Sequence, residues 1–139
     1  MFNLTRIING RENVPFVVKL PTTASESYKI GEALKLSSGA LTKASGASKP
    51  EYICAENYDA PATGNKAINV YVVEPNQVWE VPVTFSSTAA AIVLGTKVTL
   101  HTNGEGVTDV TTNGVATVLD TLDANTNKAN GDKILVRII

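Results

Sequence analysis

The sequence predicts an all-β domain, a small barrel or sandwich of short antiparallel strands with an extended N-terminal arm. Short runs of β-branched and aromatic residues alternate with polar residues along the chain, which is the period of strands with one buried side. Turn pairs of the Asn-Gly and Pro-Asn type separate these runs. Since no stretch shows the apolar spacing of an amphipathic helix, the pattern favours packed sheets alone.

The N-terminal part predicts an arm over residues 1–21, followed by a single β-rich domain over residues 22–139. Leu4, Ile7 and Ile8 are apolar anchors on the arm, and residues 16–20 predict a strand within it. Such an arm packs either on its own domain or on a neighbour, and the sequence leaves both open.

Residues 28–44 predict a first hairpin. Residues 28–36 alternate, Ser38 and Gly39 mark a turn, and residues 40–44 return antiparallel. After a polar connector, residues 51–56 predict a further short strand.

The central stretch, residues 68–83, predicts a second hairpin. Pro75 has its φ preset for the second position of a β-turn, and Asn76 is tolerated at the third. The expected buried faces consist of Ile68, Val70 and Val72 on the first run and Trp79, Val81 and Val83 on the second. The only tryptophan is therefore expected in the core.

The C-terminal third predicts a meander. Asn103-Gly104 and Asn113-Gly114 separate alternating runs at residues 97–101, 107–111 and 115–119, and Asn-Gly accepts the positive φ angles of a hairpin turn. Residues 123–131 predict a loop, and residues 133–139 a last strand tied into a sheet.

Composition and charge exclude several classes of function. The 139 residues carry 12 basic and 13 acidic side chains, a net charge of −1, without a basic cluster that could follow a phosphate backbone, so we expect no nucleic-acid partner. Cys54 is the only cysteine, which indicates a reducing compartment and no intrachain disulfide. Because residues 1–6 lack the pattern of a secretory signal and residues 89–95 are too short to cross a bilayer, we expect cytoplasmic synthesis and no membrane partner.

No residue pattern indicates an enzyme or a metal site. His101 is the only histidine, and no nucleophile signature such as Gly-x-Ser-x-Gly is present. One histidine and one cysteine are too few for a zinc site. Residues 123–127 resemble the start of a calcium loop, but Lys128 stands where glycine belongs and Ile134 where glutamate belongs. We expect no catalytic residue, no cofactor and no metal.

The aromatic residues allow two interpretations. Tyr52, Tyr58, Tyr71 and Trp79 either line a sugar-binding platform or fill cores and interfaces, and their alternation on strands favours the second.

The order of these elements resembles the small capsid decoration, or head-stabilising, proteins of tailed bacteriophages. The resemblance spans residues 28–139. It is carried by Gly31-Glu32-Ala33-Leu34 with its return Gly39-Ala40-Leu41-Thr42-Lys43-Ala44, by residues 50–56 and 70–83, and by the terminal Gly-Asp-Lys-x-Leu-Val-Arg pattern at residues 131–137.

The resemblance implies a non-enzymatic structural protein on the outer surface of a virion, made in the host cytoplasm. It would form homotrimers that clamp neighbouring major capsid subunits, and an extended arm could add a strand to a capsid or sister subunit. A carbohydrate-binding β-sandwich module and a head or tail fibre component remain as alternatives. The candidate residues for contact with the capsid or a neighbour are Phe2, Leu4, Arg6, Ile7 and Ile8.

Overall fold

The computed structural model describes residues 1–8, 15–63, 65–86, 91–127 and 129–138, and nearly all of its regular structure is β. The predicted all-β class is thereby confirmed, with antiparallel sheets packed as a sandwich. In chain order the elements are β1 (Asn3–Ile7), β2 (Val17–Pro21), β3 (Ser27–Tyr28), β4 (Ala33–Ser37), β5 (Ala40–Lys43), β6 (Tyr52–Cys54), β7 (Tyr58–Asp59), β8 (Ala67–Val72), β9 (Gln77–Thr84), β10 (Lys97–Val98), β11 (Val107–Thr108), β12 (Ala116–Asp120), the single helical turn α1 (Ala124–Asn127) and β13 (Lys133–Ile138).

Sheet 1 has the strand order β1-β9-β13-β12-β10, and β11 pairs with β9 in parallel. The predicted C-terminal strand is confirmed as β13, which lies in the middle of this sheet. Alternate residues of β9 and β13 are fully buried, which is the period-2 pattern that the sequence shows.

Sheet 2 has the order β2-β8-β6-β4-β5 and curls so that its two outer strands approach each other. Thr22, directly after β2, forms an isolated bridge with Leu41 of β5, and the Thr23 hydroxyl donates a hydrogen bond of 2.7 Å to the Leu41 carbonyl. The two-stranded ribbon of β3 and β7 adds Tyr28, whose hydroxyl donates to the same carbonyl at 2.7 Å.

Two apolar clusters form the core, and sheet 2 contributes to both because alternate residues of a strand point to opposite faces. The first cluster joins the two sheets; it includes Trp79, Val81 and Val83 of β9, Ile134, Val136 and Ile138 of β13, and Ala33 and Ile53 of sheet 2. The second lies on the other face of sheet 2 and consists of Tyr28, Leu34, Leu41, Cys54, Ala60, Ile68 and Val70.

The hairpin predicted over residues 28–44 is confirmed for β4 and β5. Ser38 and Gly39 connect these strands with φ angles of 50° and 81°, the positive values of a two-residue hairpin turn. The strands predicted at residues 16–20 and 51–56 are found as β2 and β6.

The hairpin predicted over residues 68–83 is wrong. The turn itself forms, since the Gln77 amide donates to the Glu74 carbonyl at 3.2 Å across Pro75 and Asn76. Strands β8 and β9 nevertheless separate, because β8 joins sheet 2 and β9 joins sheet 1. The predicted burial of Trp79 is confirmed.

The meander predicted over residues 97–119 is correct in one half only. Leu100 bridges Val107 antiparallel around the first Asn-Gly turn. Beyond the second Asn-Gly turn β12 pairs with β10 and β13, whereas β11 pairs with β9. The loop predicted at residues 123–131 contains α1. Of the predicted arm, residues 9–14 lie outside the described part of the chain.

Candidate functional site

Strand β1 forms one edge of sheet 1. Its inner side pairs antiparallel with β9, with Leu4 opposite Trp79 and Arg6 opposite Val78. Among the described residues no strand pairs with its outer side. An edge of this kind presents amide and carbonyl groups with which an added strand can form hydrogen bonds.

Thr5 introduces a bulge into this edge. The register shifts between Leu4 and Arg6, and the Thr5 hydroxyl donates to the Val78 carbonyl at 2.9 Å. A bulge twists an edge strand and hinders unselective pairing. The regular pairing pattern of this edge is therefore interrupted at Thr5.

The five residues predicted to contact a neighbour lie on or beside β1. Phe2 is buried and meets Trp79 edge to face, with ring centroids 6.4 Å apart. Leu4 is half-buried against the first cluster, Arg6 is exposed, and Ile7 and Ile8 are half-buried. The ring of Phe2 thus belongs to the core of its own chain, and contact of these residues with a neighbour stays a prediction.

An apolar groove of about 270 Å³ opens beside β1, between the two sheets. One side consists of Asn3 and Leu4 of β1 and of Phe2 directly before it. Tyr71 of sheet 2 lines the other side, and Pro15 and Ile30 complete the wall. Ile30 is 52% exposed, an unusual value for an isoleucine.

Trp79 also lines the groove, and its indole N–H is a buried donor. Its side chain is 1% exposed, and the indole N–H is buried without a hydrogen-bond acceptor. A buried donor without a partner destabilises the fold by about 1–3 kcal/mol.

Gly31 allows the N-terminus to form the wall of the groove. Its φ of +92° suits glycine, and a Cβ atom there would lie 2.7 Å from the Met1 Cβ. This close approach lets the Phe2 amide donate to the Gly31 carbonyl at 2.7 Å. Any larger residue at position 31 would displace the start of β1 and open the groove.

Cys54 and His101, the two side chains considered for chemistry, lie in different surroundings. Cys54 is fully buried, and burial raises the pKa of its thiol to about 11. The thiol donates to the Glu56 carbonyl at 3.0 Å. His101 is half-buried at the start of the first Asn-Gly turn, where its backbone amide donates to the Gly106 carbonyl at 2.9 Å.

The four aromatic residues considered for a sugar platform do not share one exposed face. Trp79 is buried in the first cluster. Tyr52 packs against the second cluster and Tyr71 against the first, so these two tyrosines lie on opposite sides of sheet 2. Tyr58 also packs against the second cluster, and its ring is covered by Lys66, whose ammonium lies 4.9 Å from the ring centroid.

One wall of the groove contains a residue that the sequence predicts as a contact, and the other wall does not. Leu4 was predicted as a contact residue from its place in an apolar N-terminal run. Pro15, Ile30 and Tyr71 come together only because β8 and β9 join different sheets. The sequence carries no local signal for that separation.

Within the described ranges, no group of three or more His, Cys, Asp or Glu side chains could hold a metal ion. No helix in this part of the chain is long and apolar enough to cross a membrane. A comparison of the chain with protein-family models, with curated proteins and with solved structures gives no match.

Proposed function

We propose that this chain is a structural protein of a tailed-phage virion that binds the outside of the capsid and stabilises the shell by clamping neighbouring major capsid subunits. The observation that supports the proposal is the outer edge of β1 beside the apolar groove of Leu4, Ile30 and Tyr71. Together they offer main-chain hydrogen bonds and apolar burial to one extended segment.

An extended segment of a capsid subunit would add to sheet 1 as a further strand. Its amides and carbonyls would pair with β1 on one side of the Thr5 bulge, and an apolar side chain would enter the groove. The main-chain hydrogen bonds would supply affinity, and the groove would supply specificity for the side chain that enters it.

Many copies of such a binder stabilise a shell without catalysis. A ligand that binds only the assembled form shifts the equilibrium toward that form by mass action. The expected assembly is a homotrimer on the capsid surface. No described feature favours the alternatives of a carbohydrate-binding module or a fibre component.

The test is co-sedimentation of the purified protein with capsid shells of its source phage, before and after shell expansion. Ile30→Asp places a charge at the groove and should weaken binding at least tenfold, because an apolar side chain that the bound segment would cover is replaced by a carboxylate that loses its water on binding. Val110→Asp is the matched control, since Val110 is similarly exposed at 44% and lies outside the groove. Point variants are preferable to removal of residues 1–21, because that deletion would remove β1 from sheet 1 and β2 from sheet 2.

Saturable binding of the wild-type protein and of Val110→Asp, with weak binding of Ile30→Asp, is the expected result. Equal binding of all three would remove the groove as the contact. If the wild-type protein stays in the supernatant with both kinds of shell, the decoration function is wrong.

A further inference from the structure

The outer face of sheet 1, which points away from the first cluster, carries two rows of opposite charge. Each row runs across the strands, so its members are set by the pairing register. The basic row contains Arg6 on β1, Arg137 on β13 and Lys97 on β10. The acidic row contains Glu80 on β9 and Asp120 on β12.

The register places the members of each row side by side. Lys97 is opposite Thr117, and Thr117 is opposite Arg137. Arg6 is opposite Val78 of β9. Val78 in turn lies beside Arg137 of β13, because the neighbouring residues Trp79 and Val136 are paired. In the acidic row, Glu80 and Asp120 both pair with Leu135.

The two rows alternate from strand to strand. Cations stand on the first, third and fifth strands of the sheet, and carboxylates stand on the second and fourth. Arg137 and Leu135 are two residues apart, so the rows are separated by about 7 Å along the strands, while adjacent strands are about 4.8 Å apart.

The cations of the basic row are not neutralised within the described part of the chain. None of Arg6, Lys97 and Arg137 forms an ion pair there, whereas Glu80 pairs with Lys133 at 3.6 Å. The Nε atom of Arg137 and the hydroxyl of Thr117 are buried without hydrogen-bond partners. The centre of the basic row thus holds donors that lack acceptors.

We propose that this face binds the same face of a second copy of the chain, with the basic row of each copy on the acidic row of the other. A two-fold axis that lies in the contact plane and runs across the strands exchanges the two rows. Each carboxylate of one copy then falls between two cations of the other. Arg137 lies between Glu80 and Asp120 of the second copy, and its aliphatic stem covers Leu135.

The contact is small and electrostatic, so the association is weak and depends on salt. Five strands spaced about 4.8 Å apart and three to four residues in depth cover roughly 300 Å² per copy, well below a standard interface. This pairwise contact does not use the groove, although it shares Arg6 with the residues predicted to contact the capsid. It would hold whether or not the proposed virion function is correct.

The test is sedimentation velocity over a range of protein concentrations at low and high salt. We expect reversible dimers at millimolar protein concentration in low salt. The dimers should dissociate at high salt, where the screening length falls to a few ångströms. Arg137→Glu and Glu80→Lys, each alone, should weaken dimerisation at least tenfold. Reversal of all five charges (Arg6→Glu, Lys97→Glu, Arg137→Glu, Glu80→Lys and Asp120→Lys) should recover it, because every carboxylate then falls between two cations again.

Lys19→Glu is the matched control, since Lys19 is exposed on β2 of sheet 2 and its substitution changes the net charge equally. It should dimerise as the wild-type protein does. If Arg137→Glu does not fold, as judged by circular dichroism, the exposed pair Arg6→Glu/Lys97→Glu replaces it and should abolish the dimer. A monomer under all conditions, or a dimer that Glu80→Lys and the basic-row variants leave intact, would overturn the proposal.

Discussion

Glu32 is fully buried at the start of β4, where a charge must be compensated by its neighbours. One carboxylate oxygen accepts a hydrogen bond from the Lys29 amide at 3.0 Å, and the other meets the Lys43 ammonium at 3.2 Å. The Lys43 side chain is 27% exposed, so its charge remains partly in water. The pair therefore positions β4 and β5 against each other and is sensitive to the loss of either charge.

We expect Lys43→Met to lower the free energy of unfolding by roughly 2–3 kcal/mol, because it leaves the Glu32 carboxylate buried without a counter-charge. The double variant Lys43→Met/Glu32→Gln should be more stable than Lys43→Met alone, since it also removes the unpaired charge. Lys66→Met is the control, because the Lys66–Glu56 pair is much more exposed and should contribute less than about 1 kcal/mol. Urea unfolding measures all three. A double variant that is less stable than Lys43→Met would contradict this account.

The elements show which part of the fold the sequence could predict. The β4–β5 hairpin was predictable because Ser38 and Gly39 alone determine the turn and the register that follows. The turn at Pro75 and Asn76 was equally predictable, but the pairing of the strands beside it was not. There the side chain of Gln77 is fully buried. Its amide nitrogen donates to the Val72 carbonyl, and its oxygen accepts from the Glu74 amide. These two bonds hold the corner where the chain passes from one sheet to the other.

Two glycines separate a local turn effect from a tertiary one. Gly39 has a positive φ and open space around it, so Gly39→Ala should destabilise the protein by about 1 kcal/mol through backbone strain alone. Gly104 also has a positive φ, but a Cβ there would lie 2.6 Å from the Ala33 carbonyl oxygen. Because the Ala33 amide donates to the Gly104 carbonyl at 2.8 Å, Gly104→Ala should displace this turn from β4 and cost at least about 2 kcal/mol. Equal losses in thermal or urea unfolding would show that the contact with Ala33 is unimportant.

At the scale of the whole molecule, the sequence predicts the class of the fold but not how the strands are divided between the two sheets. Alternation along each strand gives the buried faces, which is why Trp79 and Val81 were correctly expected in the core. The division of strands between two sheets depends on contacts distant in sequence, such as Lys133 beside Pro82. The groove follows from that division, so Leu4 was predictable as a contact residue while Ile30 and Tyr71 were not.

The shared use of sheet 2 by both clusters predicts one cooperative unfolding transition. Ile53 belongs to the first cluster and its neighbour Cys54 to the second, so β6 cannot leave one cluster without disturbing the other. The single tryptophan and the single cysteine report on the two clusters separately: Trp79 fluorescence follows the first, and reaction of the Cys54 thiol with a chromogenic disulfide follows the second. In urea both signals should change at the same midpoint.

Phe2→Ala tests whether the two clusters unfold together, because Phe2 belongs to the first cluster and not to the second. Loss of the buried ring beside Trp79 should lower the free energy of unfolding by about 3 kcal/mol and shift both midpoints equally, although Cys54 lies in the other cluster. Leu94→Ala, at a side chain that is 60% exposed, should shift neither. A Phe2→Ala protein whose tryptophan signal moves to lower urea while its thiol remains protected would show that the clusters unfold independently, and sheet 2 would then be a stable unit without sheet 1.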